Sequence, residues 1–215
     1  MGNKRMRQMI YGMVMVLFLG LIVYPSTAKA DITYGVKNGF KKTVSCSAVD
    51  RENGYFLSAS NIPAKAKKVK ISLSKKSVGK VKSYGGGDFV FYPKKAGKTK
   101  ITITAVVKGK KVKCKGTINV VKFKQPFKSL KVDGKDYSNN IKGSEGSAVE
   151  VKSNKSKAKV ELNLKSGWKV SKVYKGEKKM KNRKSFTLKK GEGIGVYVKN
   201  KKNNMEVNLY VYFSE

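Results

Sequence analysis

The sequence predicts an all-β chain of two β-sandwich domains in tandem, placed behind an N-terminal signal peptide helix. Three observations carry that reading. Period-two alternation of apolar and polar residues recurs along the chain, and no window beyond the N-terminus keeps the i, i+3, i+4 spacing of an amphipathic helix. Turn signals containing glycine, such as "SYGGGD", "KKAGK", "VKGKK", "VDGKD" and "KKGEG", separate the alternating runs. Once the first 30 of the 215 residues are set aside, the remaining length suits two sandwiches of about 90 residues each.

Residues 1–30 carry the features of an export signal. Lys4, Arg5 and Arg7 precede an uncharged, largely apolar run from Met9 to Tyr24, which is followed by Pro25 and the small-residue triplet Ala28-Lys29-Ala30. As a helix this 16-residue run spans about 24 Å, short of the roughly 30 Å of bilayer hydrocarbon, so cleavage after Ala30 is expected rather than retention as an anchor. No cysteine follows the run to take a lipid, and the closing "NNMEVNLYVYFSE" holds no wall-sorting motif. A secreted protein, or one attached non-covalently to the cell surface, is therefore expected.

The clearest strands run over Thr99–Val107, Val112–Val121, Ala158–Leu164, Ile194–Val198 and Met205–Phe213, each rich in β-branched or aromatic residues. Pro126 in "KFKQPFKS" ends the strand that starts near Val112, and a fresh turn-and-strand pattern follows. The expected division is a first domain over 31–123 and a second over 124–215.

The stretch "ISLSKKSVGKVKSYGGGDFVFYPKKAGKTKITITAVVKGKKVKCKGTINV", within residues 69–121, resembles the bacterial immunoglobulin-like (Ig-like) modules of the second group. The resemblance rests on the Ser-rich lead into Ser77-Val78-Gly79-Lys80-Val81, on Ala96-Gly97-Lys98-Thr99 opening a Thr/Ile strand, and on a final strand carrying Cys114. It covers about a quarter of the chain and does not extend over residues 31–66. The second half, from "FKSLKVDGKDYS", is more loosely similar to cadherin-like sandwich modules. These resemblances imply two Ig-like domains in tandem, in a structural or adhesive role without an active site.

Charge narrows the partners. Removal of Lys4, Arg5, Arg7 and Lys29 takes the net charge from +36 to +32. Such an excess favours anionic polymers through counterion release and long-range attraction: cell-wall polymers, acidic glycans, and non-specifically nucleic acid. Beyond residue 30 only Arg51 and Arg183 are arginines. Lysine is a hydrated point charge without the bidentate fork that reads base edges, so diffuse contacts are expected. Residues 53–132 hold 21 lysines against the single acid Asp88, whereas residues 133–215 hold 20 basic and 9 acidic residues, so the first domain is the more polarised.

Catalytic constellations are missing. The chain has no histidine, which removes His-based triads and His metal ligands, and two cysteines alone cannot build a structural zinc site. "AGKTK" ends like a phosphate-binding loop, but Tyr92 stands where the first glycine is required. "GEGIGV" sets its glycines at alternating strand positions rather than at a strand-to-helix turn, and Asp88, Glu145 and Glu150 are scattered acids. No enzyme, metal or cofactor is expected. In "YGGGDFVFY", Tyr84 and Tyr92 flank a glycine turn, with Phe89 or Phe91 expected in the core, and Trp168 is expected as a core anchor beside Val170.

Two features remain as candidates. Cys46 and Cys114 each sit in phase with the apolar side of a strand. Either they form a bridge between sheets, contributing at most about 4 kcal/mol through loop closure, or they are two buried thiols acting as small hydrophobes. In "YPKKAGKTKITITAVVKGKKVKCKG", Lys111, Lys113 and Lys115 alternate with inward residues, and Lys108 and Lys110 stand at the adjoining turn. These five lysines are the candidate contact surface for an anionic polymer.

Overall fold

The computed structural model describes residues 35–144 and 147–214, and the expected signal peptide lies outside them. Within Tyr34–Glu215, one compact unit, the chain folds as two Ig-like β-sandwiches in tandem. The first contains β1 (Gly35–Val36), β2 (Phe40–Cys46), β3 (Tyr55–Ala59), β4 (Lys67–Leu73), β5 (Gly79–Gly85), β6 (Asp88–Pro93), β7 (Gly97–Val107) and β8 (Lys110–Lys122). Its sheets have the orders β1-β3-β6-β5 and β2-β8-β7-β4, the two-sheet partition of an Ig-like domain. The second contains β9 (Phe127–Val132), β10 (Lys135–Asp136), β11 (Ser147–Val151), β12 (Lys157–Leu164), β13 (Trp168–Lys175), β14 (Lys178–Lys179), β15 (Ser185–Lys189), β16 (Gly193–Asn200) and β17 (Glu206–Phe213). Its sheets have the orders β10-β9-β12-β15 and β11-β17-β16-β13-β14.

Both sandwiches use the same opening move. The leading segment first joins one sheet, as β1 against β3 or β9 against β12, and then crosses to pair in parallel with the last strand, as β2 with β8 or β11 with β17. This staples the two sheets of each sandwich together through a single stretch of chain.

Alternation places the cores. Along β7, Ile101, Ile103 and Ala105 are buried while Thr102 and Thr104 are not, and along β8 Cys114, Ile118 and Val120 are buried. Phe89 and Phe91 of β6 both enter the first core, opposite Leu57 and Tyr55 of β3. The second core gathers Phe127, Leu130, Val160, Trp168, Val196, Val198, Val211 and Phe213. Each such side chain contributes about 1.5–3 kcal/mol by leaving water. A bulge between Val170 and Lys172 re-phases β13, so that Trp168 and Val173 both face inward.

One element departs from the all-strand expectation. Ala48–Asn53 forms a short helix, α1, opened by a reciprocal capping box in which Ser47 Oγ accepts from Asp50 N at 3.0 Å and Asp50 Oδ2 accepts from Ser47 N at 2.9 Å. Six residues are too few for helical periodicity to emerge. The signal that does exist is the Ser-x-x-Asp spacing.

The bridge between Cys46 and Cys114 does not form; both thiols are free. In the parallel β2–β8 register Cys46 lies opposite Lys122, eight residues beyond Cys114 on the same strand. That separates the thiols by roughly 26 Å, against the 4–7 Å between Cα atoms that a disulfide requires. Cys114 behaves as a core hydrophobe, and burial pushes its thiol up. Cys46 accepts a contact from Arg51 Nε at 3.2 Å.

A buried polar cluster ties the two sandwiches. Asp50, almost wholly buried, accepts from Ser47 N, from Ser144 N at 3.0 Å and from Ser45 Oγ. Tyr55 Oη donates to Ser45 O at 3.1 Å, accepts from Ser45 N at 2.9 Å and bonds Ser144 Oγ. Gly143 fits against this cluster because a Cβ there would lie 3.0 Å from Asp50 Oδ1 and 3.1 Å from Ser47 Oγ.

Candidate functional site

The site is built on the β7–β8 hairpin. Val107 pairs with Lys110, leaving Lys108 and Gly109 as a two-residue turn with φ of 49° and 77°. Positive φ at both central positions defines the turn whose twist matches its strands, and it favours Asn-Gly. Lysine at the first position costs about 1 kcal/mol through the Cβ clash of the left-handed region. The hairpin thus carries a cation at its tip where its geometry prefers a residue without one.

Behind the turn, register fixes which side chains share the outer face. Lys111 stands opposite Val106, Lys113 opposite Thr104 and Lys115 opposite Thr102. All five predicted lysines, Lys108, Lys110, Lys111, Lys113 and Lys115, are exposed, and the structure brings them together as one continuous tip and row.

The row extends further than the sequence indicated. On the far side of β7, Lys67 pairs with Val106 and Lys70 with Thr104. Nearer the base, Lys41 pairs with Thr117, which itself pairs with Lys100, and Lys98 follows on β7. The outer face is therefore a central ridge of Thr102 and Thr104 flanked by lysines on both sides. Lys68 also takes a left-handed φ of 52°, in the bulge that separates Lys67 from Lys70. That bulge is set by strand pairing and left no mark in the local sequence.

The electrostatics of this face are unbalanced. Successive lysines on β8 lie about 7 Å apart and repel by about 0.6 kcal/mol per pair in water. Among the described residues every ion pair lies in the second sandwich: Lys152–Glu150, Lys155–Asp133, Lys159–Glu161, Lys172–Glu206 and Lys175–Glu192. The first sandwich has only Asp50, Glu52 and Asp88 beyond residue 34, and Asp50 is consumed in the buried cluster. A polyanion laid along the lysine face relieves that repulsion and releases counterions.

The β5–β6 hairpin divides its aromatics by face. Phe89 and Phe91 are fully buried, whereas Tyr84 is exposed and Tyr92 half-buried on the outer side. Lys80 Nζ sits 5.1 Å from the Tyr92 ring centroid and Lys82 Nζ 5.0 Å from that of Tyr84. Burial, followed by the neighbouring Tyr84 hydroxyl, pushes the Tyr92 hydroxyl up to about 12.

The acids are not brought together. Asp88 is half-buried at the start of β6, Glu150 pairs with Lys152, and Glu145 lies outside the described residues. Among the described residues no group of three His, Cys, Asp or Glu side chains is placed to hold a metal ion. No helix there is long and apolar enough to cross a membrane, which says nothing of a membrane β-barrel.

No family description matches the chain, and no curated protein matches it. Solved structures with a similar strand arrangement include the fibronectin(III)-like modules of Clostridium thermocellum CbhA, with 12% identity over 86% of this chain and 92% of that one and a TM-score of 0.27. Tandem Ig repeats of Dlar give 11% identity over 82% and 94%, with a TM-score of 0.34. The endo-fucoidan hydrolase MfFcnA4 gives 8% identity over 90% of this chain and 30% of that one, with a TM-score of 0.27. Likenesses of this degree say nothing about what the chain binds or does. The Ig-like assignment rests on the strand orders themselves.

Proposed function

We propose that the chain is an exported, non-enzymatic Ig-like module pair, with modules over 31–123 and 124–215, that attaches to anionic polymers such as those of the cell wall. The lysine face of the first module is the contact, and the second module, in which Asp133, Glu150, Glu161, Glu192 and Glu206 are paired to lysines, serves as a structural partner. The observation that carries this reading is the outer face of β2-β8-β7-β4, where lysines flank the Thr102–Thr104 ridge without an acid among them. The rarity of arginine favours a polymer held by charge density over a nucleic acid read by base edges.

The test is retention of the signal-free protein on isolated cell walls as salt rises from about 50 to 500 mM, a range over which screening shortens from roughly 14 to 4 Å. The reading predicts release across that range. Retention indifferent to salt would contradict it, and equal affinity for wall polymer, heparin-like glycan and duplex DNA would reduce it to unselective attraction.

A further inference from the structure

The last strand of a sheet turns the backbone N–H and C=O groups of every second residue away from the ladder. On β15 two bonds fix which residues these are: Lys184 O accepts from Leu162 N at 2.7 Å, and Lys190 N donates to Ser156 O at 3.4 Å. Even-numbered residues therefore face β12, and Ser185, Thr187 and Lys189 present their backbone groups outward. Lys189 N donates to Glu192 Oε2 at 2.8 Å. Among the described residues nothing bonds the outward groups of Ser185 and Thr187, and both residues are exposed. The connection from β14 does not cover them. It stays with the other sheet, where Met180 N donates to Val173 O at 2.8 Å and Asn182 Nδ2 to Ser171 O at 3.0 Å.

The other edge strands among the described residues are guarded. β1, β10 and β14 are two residues long. β4 carries Lys67, Lys68 and Lys70, β5 carries Lys80 and Lys82, and each has a bulge. β2 carries Lys41 and Lys42, and β11 carries Glu150. Short length, charge and bulges keep a foreign strand from pairing. β15 has none of these between its ends, where it reads Ser-Phe-Thr-Leu. Beside it lies a cavity of about 330 Å³, floored by Phe186, Leu188, Ile194 and the half-buried Met180 and rimmed by Lys181 and Arg183.

We propose that β15 takes up an extended acidic peptide as an added strand, with apolar residues at alternate positions turned into this cavity. Three features choose that occupant. Unpaired N–H and C=O groups in strand geometry bond another extended backbone, and the apolar floor receives every second side chain. The charges around the groove select acids. Its own acids are engaged, Glu192 with Lys175 at 2.8 Å and Glu161 with Lys159 at 2.9 Å, and Glu177 in the turn before β14 makes no ion pair. Lys178, Lys179, Lys181, Arg183 and Lys184 are exposed and stay without an acid. Arg183, one of two arginines beyond residue 30, has the planar fork that holds a carboxylate through two bonds. A second copy of this chain does not suit the edge: an antiparallel pair centred on Thr187 would set Lys184 directly against Lys190.

The experiment adds an alternating Asp-Val peptide of about nine residues, enough to span β15, to residues 31–215 in about 150 mM salt and reads amide exchange by NMR. Exchange of the Ser185 and Thr187 amides is expected to slow at least tenfold at saturation. A peptide of the same composition in block order, and polyphosphate, are expected to leave both amides unchanged. Thr187→Pro removes an N–H that bonds nothing in the fold, at an edge position that tolerates proline, so its Tm should stay within a few degrees while peptide affinity falls at least tenfold. Arg183→Glu should also lower affinity at least tenfold, and Lys201→Glu, beyond the far end of β16, less than twofold. Failure of the alternating peptide to slow both amides overturns the proposal, as does equal slowing by the block-order peptide or by polyphosphate. Undiminished affinity in either Thr187→Pro or Arg183→Glu has the same force. Slowing that grows with protein concentration and needs no peptide would make the edge a self-contact and overturn it as well.

Discussion

Ser144 donates its backbone N–H to Asp50 Oδ1 at 3.0 Å across 94 residues of sequence, joining the loop ahead of β11 to the helix that follows β2. The same carboxylate caps α1. Local helix formation and the junction of the two sandwiches therefore depend on one buried charge, and hydrogen bonds to a buried charge contribute about 1.5–3 kcal/mol each.

Asp50→Ala should accordingly cost about 3 kcal/mol and uncouple the two sandwiches. Calorimetry of residues 31–215 is expected to change from one main transition to two. A single transition at an unchanged Tm would show that Asp50 does not join them.

Alkaline pH probes the same cluster through Tyr55. Burial, and after it the Asp50 carboxylate, holds the Tyr55 hydroxyl well above the usual tyrosine range. Because folding favours the neutral form, that stabilisation is fully present below the unfolded value of about 10 and is lost as pH rises beyond it. Tyr55→Phe should lower stability by about 1 kcal/mol at neutral pH and flatten the decline above about pH 10. Urea midpoints of both proteins across that window measure the difference.

Much of this fold was legible because alternation is a local property. Ile101, Ile103, Ala105, Cys114 and Ile118 point inward as the period requires, and Lys111, Lys113 and Lys115 point outward. Register between strands is not local. Cys46 and Cys114 are both in phase with their cores, yet the parallel β2–β8 pairing sets them far apart. For the same reason Lys70 and Lys41 joined the lysine face only once neighbouring strands were aligned. The Asp50–Ser144 contact lies beyond any local pattern.

Acid should loosen the second sandwich. Asp133 accepts from Lys159 N at 2.7 Å, Asp136 from Ser138 N at 2.8 Å, and Glu192 pairs with Lys175, and these contacts hold all three carboxyls below the usual carboxylate range. Their stabilisation is present above the unfolded values of about 4 and is lost as pH falls through the lower folded values. Trp168, the only tryptophan, lies in that core and reports its opening by fluorescence. Asp136→Asn should reduce the acid-dependent part of the change.

Relief of the turn at Lys108 should trade binding for stability. Lys108→Asn suits the left-handed φ and is expected to raise stability by about 1 kcal/mol, a Tm gain of several degrees, while removing the cation at the tip. Thermal unfolding and retention on cell walls, measured on the same variant, should move in opposite directions.

The central claim is that the lysine face of β8 holds an anionic polymer, and its most direct measurement is the affinity of residues 31–215 for polyphosphate against that of Lys111→Glu/Lys113→Glu/Lys115→Glu, each over a salt series. Three reversed charges should lower affinity at least tenfold at about 50 mM salt and flatten the dependence of log affinity on log salt. Equal affinity and equal slope for the two proteins would contradict the claim.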